Sequence, residues 1–337
     1  MFDIVIQNLL SPVVLFFVLG VFAAVVKSDL KFPPGLGETL SIYLLIAIGL
    51  KGGLELSNYT LSEVALPILG TLILGSTIPV ITVFILRRWV KLDLKNSIGL
   101  AAAFGSVSIV TYGAGLAFLE TVNTSYEAFM SGMVVVMEIP GIFVALLLLG
   151  ILEKNKREDF AQMKHVGIVA SNPLSMISPE ILRESFFGKS ILLLVGSLLA
   201  GLIAGKEALP VIKPLFIDLY PSILILFLLN MGIVAGQRLA AVRRHGLKLL
   251  AFGVLMPPLY GFFGIVVGYS VGLSLGGTVL MGILAASASY IAAPAALKTS
   301  VPDADPSIYL GLSLGVIFPF NLVVGLPLLY TIASLFY

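Results

Sequence analysis

About ten apolar stretches follow one another along this chain, and that succession limits its fold more than any other feature. A helix that crosses a bilayer needs roughly 20 apolar residues. The first five stretches lie at about 10–27, 38–56, 64–88, 96–118 and 126–152. The second five lie at about 189–205, 217–236, 247–272, 276–297 and 306–336. Only 11% of the residues are charged, against about 25% in soluble domains, so most of the surface must face lipid. The expected fold is an all-α integral membrane protein. Pro319 and Pro327 predict a kink or tilt in the last stretch.

The basic residues sort by side. With the N-terminus outside, 17 of the 20 Lys and Arg residues fall in inside connections. That bias supports the helix count and a multi-pass plasma-membrane topology with both termini outside. The start of the chain, Met1-Phe-Asp-Ile-Val-Ile-Gln7, lacks the basic region and cleavage site of a removed signal peptide. Cysteine is absent, which excludes disulfides and thiolate chemistry. His165 and His245 both sit in basic connections, so a histidine metal site is not expected. No nucleophile–base set or cofactor motif is present. Neither catalysis nor a nucleic-acid partner is expected, and no resident cofactor is implied.

The two halves repeat. Gly105-Ser-Val-Ser108 in the fourth stretch matches Ala286-Ser-Ala-Ser289 in the ninth, placing Ser106 on Ser287 and Ser108 on Ser289. Gly49 and Gly53 of the second stretch match Gly232 and Gly236 of the seventh. Five helices per half is an odd number, so the second copy must enter from the opposite side. This is the inverted-repeat plan of secondary transporters. The expected units are a first five-helix repeat over 1–152, a cytoplasmic connection over 153–188 and a second, inverted repeat over 189–337. Within the connection, Ser178-Pro-Glu-Ile-Leu-Arg-Glu-Ser-Phe-Phe187 reads as a short amphipathic helix on the membrane interface. It serves either as a regulator's docking site or as a tether.

The paired Ser-x-Ser runs are where chemistry is expected. An interrupted helix leaves backbone groups unpaired, which lipid does not tolerate unless they line a cavity or pack in protein. The resumed half-helix offers N–H donors and a positive dipole end, which suit a small oxyanion. Unwound carbonyls and hydroxyls suit Na⁺. Pro294 predicts a break near Ser289–Ile291. Gly105, Gly113 and Gly115 are the corresponding breakers in the first half. The alternative is that Ser, Ala and Gly only mark close helix packing. Glu138 is a carboxylate inside an apolar stretch and hence a candidate for function. Asn321, near Pro319, is its nearest polar counterpart. Lys51 is expected to snorkel to the outer interface. Asp303 and Asp305 read as turn and cap residues, and Trp89 as an interfacial anchor.

These residues carry a family resemblance. Gly105-Ser-Val-Ser108, Thr111, Leu119-Glu120, Ser125-Tyr-Glu-Ala128 and Glu138-Ile-Pro140 resemble the first half of the sodium-dependent bicarbonate transporter family, best known from cyanobacteria. Ala285-Ala-Ser-Ala-Ser289, Pro294, Pro302, Tyr309 and Gly311 resemble its second half, and Ser11-Pro12 its first segment. The resemblance implies ten helices in two inverted repeats, interrupted at the centre, with a core domain moving against a gate domain, in a homotrimer. It implies Na⁺-coupled bicarbonate uptake, with Na⁺ as coupling ion and a cytoplasmic regulator of the PII type. The candidate substrate residues are Gly105, Ser106, Ser108, Ser287, Ser289 and Tyr290; the candidate cation ligands are Thr111, Glu138 and Asn321. The chain departs from the family pattern at Tyr290, where the cyanobacterial members carry an Asp. It departs also at Ala292, Ala293, Ile109 and Val110. A transporter of another small carboxylate, or a non-transporting sensor on the same fold, are the competing expectations.

Overall fold

The computed structural model describes residues 2–56, 59–164, 187–243 and 246–337, and these contain helices but no strand. The first half holds α1 (Phe2–Leu9), α2 (Pro12–Val25), α3 (Leu36–Leu56), α4 (Leu61–Ile85), α5 (Leu94–Gly105), α6 (Ile109–Thr121) and α7 (Met130–Lys164). The second holds α8 (Lys189–Ala204), α9 (Tyr220–Arg243), α10 (Leu247–Ser270), α11 (Leu275–Ala286), α12 (Ala292–Ser300) and α13 (Pro306–Ala333). Seven helical spans among these are long and apolar enough to cross a membrane. The three remaining apolar stretches are occupied by shorter helices, Pro12–Val25, Ile191–Ala204 and Leu275–Ala286. The protein is an all-α membrane protein.

Local chemistry sets the helix starts. Ser11 accepts from the Val14 N–H with Pro12 in the first turn, Asp93 accepts from Asn96, Ser274 from Gly277, and Asp305 from Ser307. Each cap takes one of the backbone donors that a helix start leaves unpaired. Asp303 is the partner of Lys95, and Trp89 is exposed. The last stretch does not run as one regular helix: α13 widens into π turns at Ser313–Ile317 and Asn321–Gly325, on either side of Pro319. Helix α7 runs on to Lys164, beyond the expected end near 152. The helix expected from Ser178 lies almost entirely outside the described residues, as do His165 and His245.

Helices in lipid gain little from hiding apolar surface from one another, so small residues and close packing must hold them. Helix α3 lies along α8, and α2 along α9. Glycines at matching positions of the two halves make both contacts. A Cβ at Gly49 would come within 2.7 Å of the Leu194 carbonyl, and one at Gly232 within 3.0 Å of the Gly20 Cα. Gly53 and Gly236, four residues on, continue these two seams. A second group packs α4 with α5 and α7, and α10 with α11 and α13. Phe104 anchors it with edge-to-face contacts to Phe252 and Tyr260 at 5.6 and 5.4 Å. The stretch Leu94–Thr121 is 94% buried over its membrane window, against 44% for Leu247–Ser270. The interrupted stretch is thereby kept away from lipid, where its unpaired backbone would be intolerable.

Candidate functional site

Helix α5 stops at Gly105, and α6 starts after Ser106, Val107 and Ser108, with both serines extended. Helix α11 stops at Ala286, and α12 starts after Ser287 to Ile291. Both interruptions fall on the Ser-x-Ser runs. Gly105 makes the first possible by close approach: a Cβ there would lie 2.8 Å from the Gly141 Cα on α7. Gly113 and Gly115 do not break the chain. They sit inside α6 against Tyr220 and Ile283, as packing residues.

The two breaks bond to each other. The Ser108 N–H donates to Ser287 Oγ at 2.9 Å, and the Ser289 N–H donates to the Ala103 carbonyl at 2.7 Å. Ser287 Oγ in turn donates to the Leu284 carbonyl at 2.9 Å, so this hydroxyl is committed to joining the breaks. Ser108 Oγ accepts from the Thr111 N–H at 3.2 Å, and Ser289 Oγ from the Ala293 N–H at 3.2 Å. A serine hydroxyl that accepts still has its own O–H to donate. Thr111 therefore meets the break through its backbone amide.

The fifth helix of each half adds a polar side chain. Asn321 Nδ2 donates to the Ala286 carbonyl at 2.8 Å, satisfying the end of α11. Glu138 on α7 faces Ser106 at the first break. Glu138 is 4% exposed. The Ser106 hydroxyl, the Tyr290 hydroxyl and Asn321 Oδ1 are buried without a well-formed hydrogen bond.

A cavity of about 10 Å³ lies between the breaks, lined by Ser108, Ser289, Tyr290 and Glu138 among others. That is the room of about one water molecule. Ile109 and Ala292, the first residues of α6 and α12, also line it, so two helix N-termini converge there. Gly105, Ser106, Ser287, Thr111 and Asn321 belong to the scaffold of the breaks and do not line this cavity. A larger cavity of about 510 Å³ adjoins it, sharing Leu45, Tyr290, Ile291 and Ala292.

Sequence reasoning overlooked the contribution of α3. Gly37, Ser41 and Leu45 line the larger cavity, and Leu45 also lines the smaller one. Their spacing of four residues puts them on one stripe. This is a signal in the sequence, though one that ordinary apolar packing also produces. Lys51, farther along α3, does not reach freely to the interface. Its Nζ donates to Tyr126 Oη at 3.1 Å and lies 3.6 Å from Glu120. Glu127, part of the Ser125–Ala128 motif, was given no role by the sequence: its carboxylate accepts from the Ser274 N–H at 2.6 Å and fastens the start of α11.

A family model described as the Na⁺-dependent bicarbonate transporter superfamily matches residues 12–334. The chain belongs to this superfamily. Both breaks, Glu138 and Asn321 lie within the matched region. Comparison with curated proteins finds no match. Membership in a transporter superfamily fits the membrane fold and implies transport.

Proposed function

We propose that this member of the superfamily is a secondary active transporter of a small anion, carrying out Na⁺-coupled bicarbonate uptake across the plasma membrane. The observation that carries this reading is the convergence of two helix N-termini, two serine hydroxyls and Tyr290 on one buried cavity. Dipole ends and O–H donors fixed in place suit a small oxyanion. Glu138, at the wall of the same cavity, is the candidate for balancing a cation against the anion; Thr111 and Asn321, the other candidates, belong to the scaffold of the breaks and lie outside its lining.

Movement follows from an inverted repeat. In this reading α2, α3, α8 and α9 form a gate, and the breaks with α4, α7, α10 and α13 form a core. Exchange of the halves turns the α3–α8 seam into the α9–α2 seam, and the glycines at both seams support it. The stripe on α3 runs from the larger cavity past the site to Lys51. Lys51, Glu120 and Tyr126 close the outer side, while the larger cavity gives the site its path to the cytoplasm. Both termini are then outside. A homotrimer and a cytoplasmic PII-type regulator belong to the same proposal.

The test is uptake of labelled bicarbonate into proteoliposomes with and without a Na⁺ gradient. Absence of flux for bicarbonate and for small carboxylates, under both conditions, would sink the transporter reading. The water-sized volume of the cavity favours a second reading, a sensor on a transporter fold. It predicts thermal stabilisation by bicarbonate without flux.

A further inference from the structure

We propose that the cavity of about 510 Å³ beside the breaks is a binding site for organic monocarboxylates with an apolar body, of benzoate to octanoate size. The volume lies in the range of small-molecule sites, which are mostly apolar with a few placed polar groups. It is far larger than the water-sized site next to it.

Two hydroxyls wait in this cavity. Ser41 Oγ is buried without a hydrogen-bond partner, and Tyr290 Oη, which faces Ser108, has no well-formed one; the two residues are 8% and 9% exposed. A buried donor without an acceptor is costly to leave unmade, and both side chains line the cavity. The N-terminus of α12 adds a third element, since Ile291, Ala292 and Ala295 form part of the same wall. Two O–H donors and a positive dipole end call for one acceptor-rich negative head. A carboxylate meets that description, being acceptor-only when ionised.

The rest of the wall calls for an apolar body. Ile142, Ile191, Phe227 and Met231 face the cavity and offer nothing polar from their side chains. At the rim Glu38 and Lys189 form an ion pair with each other, so their charges offset and the head group is met inside, at α12. The walls come from α3, α8 and α9 on one side and from α7, α12 and α13 on the other. An occupant therefore touches both helix groups and holds them at their present spacing.

The experiment is a titration of the purified full chain in nanodiscs with benzoate and with hexanoate, read by calorimetry and thermal unfolding. The expected result is saturable one-to-one binding with a raised Tm. Ser41→Ala and Tyr290→Phe together should weaken it by about tenfold or more. Ala295→Phe, at a position already exposed to the cavity, should abolish it by filling the space. If Tyr290→Phe does not fold, Ser41→Ala and Ala295→Phe carry the test. Lack of saturable binding to the unaltered chain overturns the proposal. So does an affinity that Ala295→Phe leaves unchanged, or a co-purified phospholipid that benzoate does not displace in native mass spectrometry. The site rests on the cavity alone. Benzoate binding that persists in a protein without bicarbonate flux would remove the transport reading and leave this one standing.

Discussion

Ser287 joins the two halves with a single hydroxyl, which accepts from the Ser108 N–H and donates to the Leu284 carbonyl. Ser287→Ala would strand that amide in the protein interior, and an unmade buried hydrogen bond costs about 1–3 kcal/mol. A clear fall in the thermal unfolding temperature is expected; an unchanged one would show that the breaks are held by other means. Glu138 invites a different substitution. Glu138→Gln preserves shape and removes the charge, so under the proposed function the Na⁺ dependence of uptake should disappear while bicarbonate still stabilises the protein. Retained Na⁺ dependence would remove Glu138 from the cation's coordination. Ser106, Tyr290 and Asn321 each hold a buried polar atom without a well-formed hydrogen bond. Native proteins leave few such atoms, and their grouping around the breaks is the residue-scale mark of a site.

At the scale of elements, α3 shows how one helix carries two jobs on two faces. Gly49 and Gly53 let it meet the backbone of α8, while Gly37, Ser41 and Leu45 look into the cavities. A Cβ at Gly53 would come within 2.7 Å of the Leu202 amide nitrogen. Backbone there cannot step aside as a side-chain end can, so Gly53→Val should destabilise by at least the roughly 1–3 kcal/mol typical of overpacking. Gly196 on α8 is the contrast, with open space where its Cβ would be. Gly196→Ala should cause no loss. Thermal unfolding of the two variants side by side checks the seam. If both behave alike, the glycines of α3 mark composition rather than contact. The breaks themselves obey the same logic: α5 and α11 end inside the protein, where neighbouring segments receive their unpaired backbone groups.

For the whole molecule, the question is which cavity faces which side. The chain has no cysteine, so single cysteines report position without background. Under the proposed topology Ala295→Cys, in the larger cavity, should react with an impermeant maleimide in inside-out vesicles only. Glu120→Cys, beside Lys51, should react in right-side-out vesicles only. The reverse pattern would invert the orientation. Lys51→Met removes the contacts to Glu120 and Tyr126 and should raise the labelling of pocket-facing positions from the outer side, if that cluster closes the protein there.

Some of this was readable in the residues themselves. Apolar length, basic residues and the Ser-x-Ser runs are local properties, and each maps onto a physical demand made within a few residues: lipid around a helix, charge at an interface, small side chains where a helix stops. Hence the all-α membrane fold and the positions of both breaks were legible before any coordinates. Other features depend on which helix lies against which. That Ser287 bonds the Ser108 amide, that Asn321 holds the end of α11 and that Lys51 finds Tyr126 are contacts between residues 35 to 179 apart in the chain, and Ser41 and Leu45 line cavities whose other walls come from distant helices. Neither hydropathy nor spacing encodes them. Tertiary packing decided them, because in lipid the helices are sorted by shape and by their few polar partners rather than by burial from water.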